Sequence, residues 1–90
     1  MIFKQGMRVF APYGKATIGG LIHWYDIPNL YVVVFDDINI GWSWDYHKFE
    51  ADNWEELDPF LKGKHVYNLY DYQLKLINTK TKLGNDVSDI

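Results

Sequence analysis

Six consecutive apolar residues, Leu30-Tyr31-Val32-Val33-Val34-Phe35, constrain this chain more than any other feature. Side chains alternate between the two faces of a strand, so an all-apolar strand leaves both faces to be covered. The β-branched and aromatic content favours a strand over a buried helical turn. The run should therefore be central in a sheet or be covered on each side. Before it, Asp26-Ile27-Pro28-Asn29 reads as a turn, because Pro fixes φ and Asn tolerates left-handed geometry. After it, Asp36-Asp37 ends the strand and starts a turn.

The remaining strand signals are shorter. Gly6 to Ala11 alternates partly, and Pro12-Tyr13-Gly14 supplies turn chemistry. Lys15 to Tyr25 is rich in β-branched and aromatic residues, and its Gly19-Gly20 pair suggests a bulge or sharp bend. Towards the other end, His65-Val66-Tyr67-Asn68 and Gln73-Leu74-Lys75-Leu76-Ile77 read as two strands, with Leu69-Tyr70-Asp71-Tyr72 as a tight turn between them. A polar tail, 79–90, has few anchors and is expected to fray. Residues 1–78 are expected to form one domain.

Gly6-x-x-Val9, Gly14-Lys15, Gly20-x-Ile22 and Tyr31-x-Val33-x-Phe35-Asp36-Asp37 resemble the SH3-like barrels of the Tudor and KOW type. Gly63-Lys64-His65-Val66-Tyr67, followed by Gln73-Leu74-x-Leu76-Ile77, resembles their strand, one-turn 3₁₀ helix and closing strand. The spacing is similar to that of small SH3-like proteins common in bacteriophages. The resemblance implies a mostly β fold: a single five-stranded SH3-like barrel that acts as a binding module. On that reading Val9, Ala11, Ile18, Ile22, Tyr31, Val33, Phe35, Val66, Leu74 and Leu76 point inward.

Residues 38–62 then form one long excursion between the third and fourth strands, and long loops of this kind are usually functional or disordered. Three of the four Trp lie within it, which argues against disorder. Ala51 to Leu57 has the pattern of a short helix, with Asp52 as N-cap, Glu55 closing a capping box, and Pro59 ending it. Charge is segregated as well. Residues 36–58 hold eight acids and one base, a net −7, while the rest of the chain carries +4.

In Gly41-Trp42-Ser43-Trp44-Asp45-Tyr46, aromatic residues alternate with small or polar ones, so an extended backbone sets Trp42, Trp44 and Tyr46 on one face. Aromatic faces beside carboxylates attract cations. The Tudor resemblance implies an aromatic cage, and Tyr13, Tyr25, Phe35 and Trp42 with Asp37 match its positions. The competing reading makes these rings the core of the excursion itself, folded against Val32 and Val34. As a docking surface, Trp42, Trp44, Tyr46 and Trp54 are the anchors, and Asp36, Asp37, Asp45, Glu55 and Glu56 the steering charges for a partner with a basic surface.

Other chemistries find little support. The 90 residues hold no Cys, which removes disulfides and thiolate chemistry. His23, His47 and His65 share no ligand spacing, and neither Ser43 nor Ser88 sits in a nucleophile elbow, so no metal, no cofactor and no enzymatic activity are expected. Lys4, Arg8, Lys15, Lys62, Lys64 and Lys75 could line a face for nucleic acid, as in KOW barrels, but an acidic chain repels phosphate. The expected function is a non-enzymatic protein-interaction module, a phage accessory or host-modulating factor. The alternative is a KOW-like nucleic-acid or ribosome-associated barrel using the basic flank. No apolar run approaches the roughly 20 residues that span a bilayer, and the start MIFKQGMR lacks a signal-peptide core, so a cytoplasmic location (the host's, if phage-encoded) is expected. Val32 and Val34 offer a seam for a homodimer.

Overall fold

The computed structural model describes residues 2–24, 26–45, 52–77, 82–83 and 85–86. Its strands are β1 (Arg8–Ala11), β2 (Gly14–Trp24), β3 (Ile27–Phe35), β4 (Trp42–Ser43), β5 (His65–Tyr70), β6 (Lys75–Leu76), β7 (Lys82–Leu83) and β8 (Asn85–Asp86). One helix, α1 (Trp54–Leu61), lies between β4 and β5, and a 3₁₀ turn (Asp71–Gln73) separates β5 from β6. Six strands form one antiparallel sheet in the order β4-β5-β3-β2-β1-β6. The protein is thus mostly β, and its sheet is not closed into a continuous ring. The short β7–β8 ladder falls within the tail expected to fray, whose other residues lie outside those described.

Of the two placements the apolar run allowed, the strand takes the central one and is also covered on both faces. β3 sits between β2 and β5, and Leu30 to Val33 are each at most 5% exposed. Its alternating side chains feed two cores. Tyr31, Val33 and Phe35 join Phe3, Val9, Ala16, Ile18, Leu69 and Leu74 on the concave side. Leu30 and Val32 join Ile22, Trp44, Leu57, Leu61 and Val66 on the other, under α1. Val32 is covered by this roof, so a homodimer seam does not run over it. The Tyr31 hydroxyl enters the first core without an orphaned oxygen, accepting the Phe3 backbone N–H at 3.1 Å.

Four details differ from the sequence expectation, each for a local reason. Ile22 was placed beside Ile18, but the register slips between Ile18 and Gly20, and one extra residue turns Ile22 to the opposite core. Val66 likewise belongs under the roof, because Tyr67 opposite Val33 and Leu69 opposite Tyr31 are the β5 residues in phase with the concave core. Leu76 is 37% exposed, since β6 is a two-residue strand at the sheet margin. The turn expected at Asp26–Asn29 is shorter than its sequence suggested. Trp24 already pairs with Ile27, and Pro28-Asn29 becomes a bulge in β3 with Asn29 at φ 57°.

The helix also departs from its expected limits. It starts at Trp54 and passes through Pro59 to Leu61. Neither Asp52 nor Glu55 makes a capping box; the N-cap residue is Asn53, whose side chain is engaged elsewhere. Asn53 Nδ2 donates to the Leu21 carbonyl at 2.6 Å, and the His23 N–H donates to Asn53 Oδ1 at 3.1 Å. The Asp52 N–H adds a bond to the His23 carbonyl at 3.0 Å. Asn53 therefore ties the helix start to β2 like a one-residue strand. Pro59 costs about 3 kcal/mol in a helix interior. Burying Leu57 and Leu61, at 3% and 0% exposure, returns about 3–6 kcal/mol together and carries the helix past it.

What lets α1 lie this close is the glycine pair in β2. A Cβ on Gly19 would stand 2.7 Å from Leu61 Cδ2, and one on Gly20 would collide with Leu57 Cδ2. Gly20 also has φ 154°, a conformation that side chains resist. Bulge and helix seat are the same two residues.

Candidate aromatic binding site

At one end of the sheet four rings converge from four elements. Tyr13 comes from the β1–β2 turn, Phe35 from the last position of β3, Trp42 from β4 and Tyr67 from β5. Tyr67 is the hub. Its centroid lies 5.5 Å from Tyr13, 5.9 Å from Phe35 and 5.1 Å from Trp42, and Tyr13 lies 6.1 Å from Phe35. The edge-to-face and tilted angles are those that ring quadrupoles favour. Phe35 is buried and fixes the floor, while Tyr13 at 57% and Trp42 at 43% exposure present their rings to solvent. A hydrogen bond to Tyr13 holds the Tyr67 phenol protonated and raises its pKa above the ordinary tyrosine range.

Of the positions matched to an aromatic cage, the structure brings together Tyr13, Phe35 and Trp42; Tyr25 lies outside the described residues. Tyr67 was missed, although a signal existed. In His65-Val66-Tyr67-Asn68-Leu69 either alternate set can face the concave core, and a Val66 that faces it would turn Tyr67 outward. The pairing of Tyr67 with Val33 chooses the other set.

The carboxylates that follow Phe35 in the chain are already partly engaged. Asp36 forms a bidentate ion pair with Arg8, both oxygens 2.6 Å from a guanidinium nitrogen, and Arg8 Nη1 also donates to Thr17 Oγ1 at 2.8 Å. The hydrogen bonds from Arg8 lower the Asp36 pKa and raise that of Arg8. Asp37 accepts the Asn39 N–H at 2.9 Å, which shapes the turn after β3 and leaves the carboxylate exposed. Past this turn, His65 Nδ1 lies 2.9 Å from the Ile38 carbonyl. Val34, Phe35, Ile38, Gly63, Lys64 and His65 line a shallow hollow of about 290 Å³ there.

The other expected anchors are placed differently. Trp44 is 9% exposed, packs in the core under α1, and donates from Nε1 to Asp58 Oδ1 at 2.8 Å. Trp54 packs half-buried against the same core. For these two rings the competing reading, an excursion with its own core, describes their position. Tyr46 lies outside the described residues. Asp45 is half-buried, whereas Glu55 and Glu56 stand exposed on the first turn of α1.

Among the described residues no cluster of His, Asp and Glu is arranged to hold a metal ion, and no helix is long and apolar enough to cross a membrane. Compared with family models, with curated proteins and with solved structures, the chain matches none.

Proposed function

We propose that this chain is a non-enzymatic protein-interaction module of SH3-like architecture that holds a basic segment of its partner against the Tyr13–Phe35–Trp42–Tyr67 rings. One observation carries the reading: two of these four packed rings remain about half exposed beside an acidic strand end. An exposed ring cluster on a rigid sheet needs little ordering to bind, and each cation–π contact contributes about 0.5–2 kcal/mol. Asp37 and the acidic 36–58 block steer a positive partner towards it. The SH3-like assignment is supported by the meander β1-β2-β3-β5, by the 3₁₀ turn after β5, and by β6 returning to pair with β1.

A titration of ¹⁵N-labelled protein with a Lys- and Arg-rich peptide tests this. The Trp42 indole signal and the Tyr13 and Tyr67 resonances are expected to move, and those of Trp44 to stay. Tyr13→Ala with Trp42→Ala should keep the fold and lose the peptide. Binding of duplex DNA or RNA that weakens steeply with salt, with the peptide inert, would favour the nucleic-acid alternative instead.

A further inference from the structure

The convex face of the sheet is half roofed. Over β3, β5 and the far half of β2 it carries α1, while no described element covers it over β6, β1 and the near half of β2. Register fixes what lies on the bare half. Phe10 stands opposite Lys15 on β2 and Lys75 on β6, and Arg8 opposite Thr17. The Thr17 position pairs in turn with Val34, whose side chain packs under the roof, so these residues share the roofed face. Phe10 is 45% exposed in mid-strand, with the Lys15 ammonium 5.9 Å from its ring. Of the residues so placed Asp36 is the acid, and Arg8 already holds it. Lys15 and Lys75 leave the patch positive around an apolar centre.

The roof has the opposite character. Trp54, Leu57 and Leu61 turn towards the sheet, Glu55 and Glu56 are exposed on its first turn, and Asp52 is exposed just before its N-cap. One chain thus presents an acidic ridge and, elsewhere, a basic bare patch, in keeping with its −7 block and +4 remainder. We propose that the bare Lys75–Phe10–Lys15 patch docks the acidic first turn of α1 from a second copy of this chain, head to tail. Opposite charges steer the encounter, and Phe10 supplies the apolar contact that a charge pair alone lacks. A phosphate polymer would gain the same lysines but also meet the −7 block, whereas a second copy satisfies both surfaces. The contact is heterologous, so it extends with concentration instead of stopping at a symmetric pair. It is also independent of the ring cluster and of what that binds.

Sedimentation velocity on the full chain tests this, at low salt and again at about 0.5 M, where exposed charges are screened beyond a few ångströms. The average mass is expected to rise with concentration at low salt and to return to that of the monomer at high salt. Lys15→Glu with Lys75→Glu should abolish the rise, and Glu55→Lys with Glu56→Lys should abolish it too. Mixing the two charge-reversed proteins should restore association as mixed assemblies. Phe10→Ser provides a variant with charge intact and should weaken association by at least tenfold, with circular dichroism unchanged in each case. The proposal is overturned if the wild type stays monomeric at low salt, or if charge reversal on the patch leaves association unaltered. It is equally overturned if a single-stranded oligonucleotide, and not a second copy, binds in a Lys15- and Lys75-dependent way.

Discussion

Trp42 and Trp44 are separated by one residue, yet they have unlike fates. The first is 43% exposed beside Tyr67, and the second is 9% exposed beneath α1 with its indole bonded to Asp58. Alternation along an extended segment would give them one face and one role. The regular strand ends at Ser43, however, and what separates the two rings is the element above them rather than their spacing. Residue type and pattern nominate a binding ring. A helix that supplies a hydrogen-bond acceptor and two leucines converts it into core.

The largest test of this contrast is Trp44→Ala. Losing a buried indole and leaving Asp58 unpaired should lower the unfolding free energy by about 3–5 kcal/mol, read by urea denaturation. A loss like that of an exposed ring would make the two tryptophans equivalent. Gly20→Ala attacks the seat of the helix instead of its ring. Its Cβ meets Leu57 at an unfavourable φ, so about 1–3 kcal/mol should be lost while the concave core stays intact. Asn53→Ala should cost about 1–2 kcal/mol, and hydrogen exchange at His23 should accelerate, because its N–H donates to that side chain. Asn53→Asp keeps the acceptor for His23 but sets a carboxylate against the Leu21 carbonyl, and should recover part of the loss at most.

On the exposed side the effects shrink. Trp42→Ala should cost about 1 kcal/mol, the worth of its contact with Tyr67, while removing the proposed binding surface. Asp36→Asn should cost at most about 1 kcal/mol at neutral pH, because the pair with Arg8 is solvent-exposed. Its sign with pH is fixed. Arg8 depresses the folded-state pKa of Asp36, so the contribution is present above the unfolded value near 4 and fades as pH falls through the folded one. The stability gap between wild type and Asp36→Asn should therefore close in acid.

Much of the sheet was legible because β-structure writes itself into alternation and breaks. The apolar run at Leu30–Phe35, the Gly19-Gly20 bulge and the Pro12-Tyr13 turn are local signals with local causes. The strand, 3₁₀ turn and closing strand after Gly63 follow in the expected order, but β5 runs on through Leu69 and Tyr70, the turn falls at Asp71–Gln73, and the closing strand shrinks to Lys75–Leu76. Phase was harder to read. One inserted residue near Gly19 reverses the facing of Ile22, and no pattern within β5 says whether Val66 or Tyr67 turns inward. Of the ring cluster, the individual members Tyr13, Phe35 and Trp42 were visible, whereas its hub depends on a register set between strands some 34 residues apart. The helix limits were hidden because Asn53 spends its side chain on β2 and Leu61 is drawn past a proline by the glycine seat.

The attachment of Asn53 has a further consequence. Beyond the reach of β1, the flank of β2 at residues 19–23 has polar backbone groups met by Gln5, Asn53 and Asp52: the Gly19 carbonyl accepts from the Gln5 amide at 3.0 Å, the Leu21 carbonyl accepts from Asn53 Nδ2, and His23 donates its N–H to Asn53 Oδ1 and accepts the Asp52 N–H. Those contacts stop the strand from acting as a template. Were the roof to lift, a row of bare donors and acceptors beside Ile22 and Trp24 would be open to any extended segment, and edge-to-edge aggregation begins from such rows. The side chain that anchors the helix therefore also keeps the protein from polymerising through its backbone.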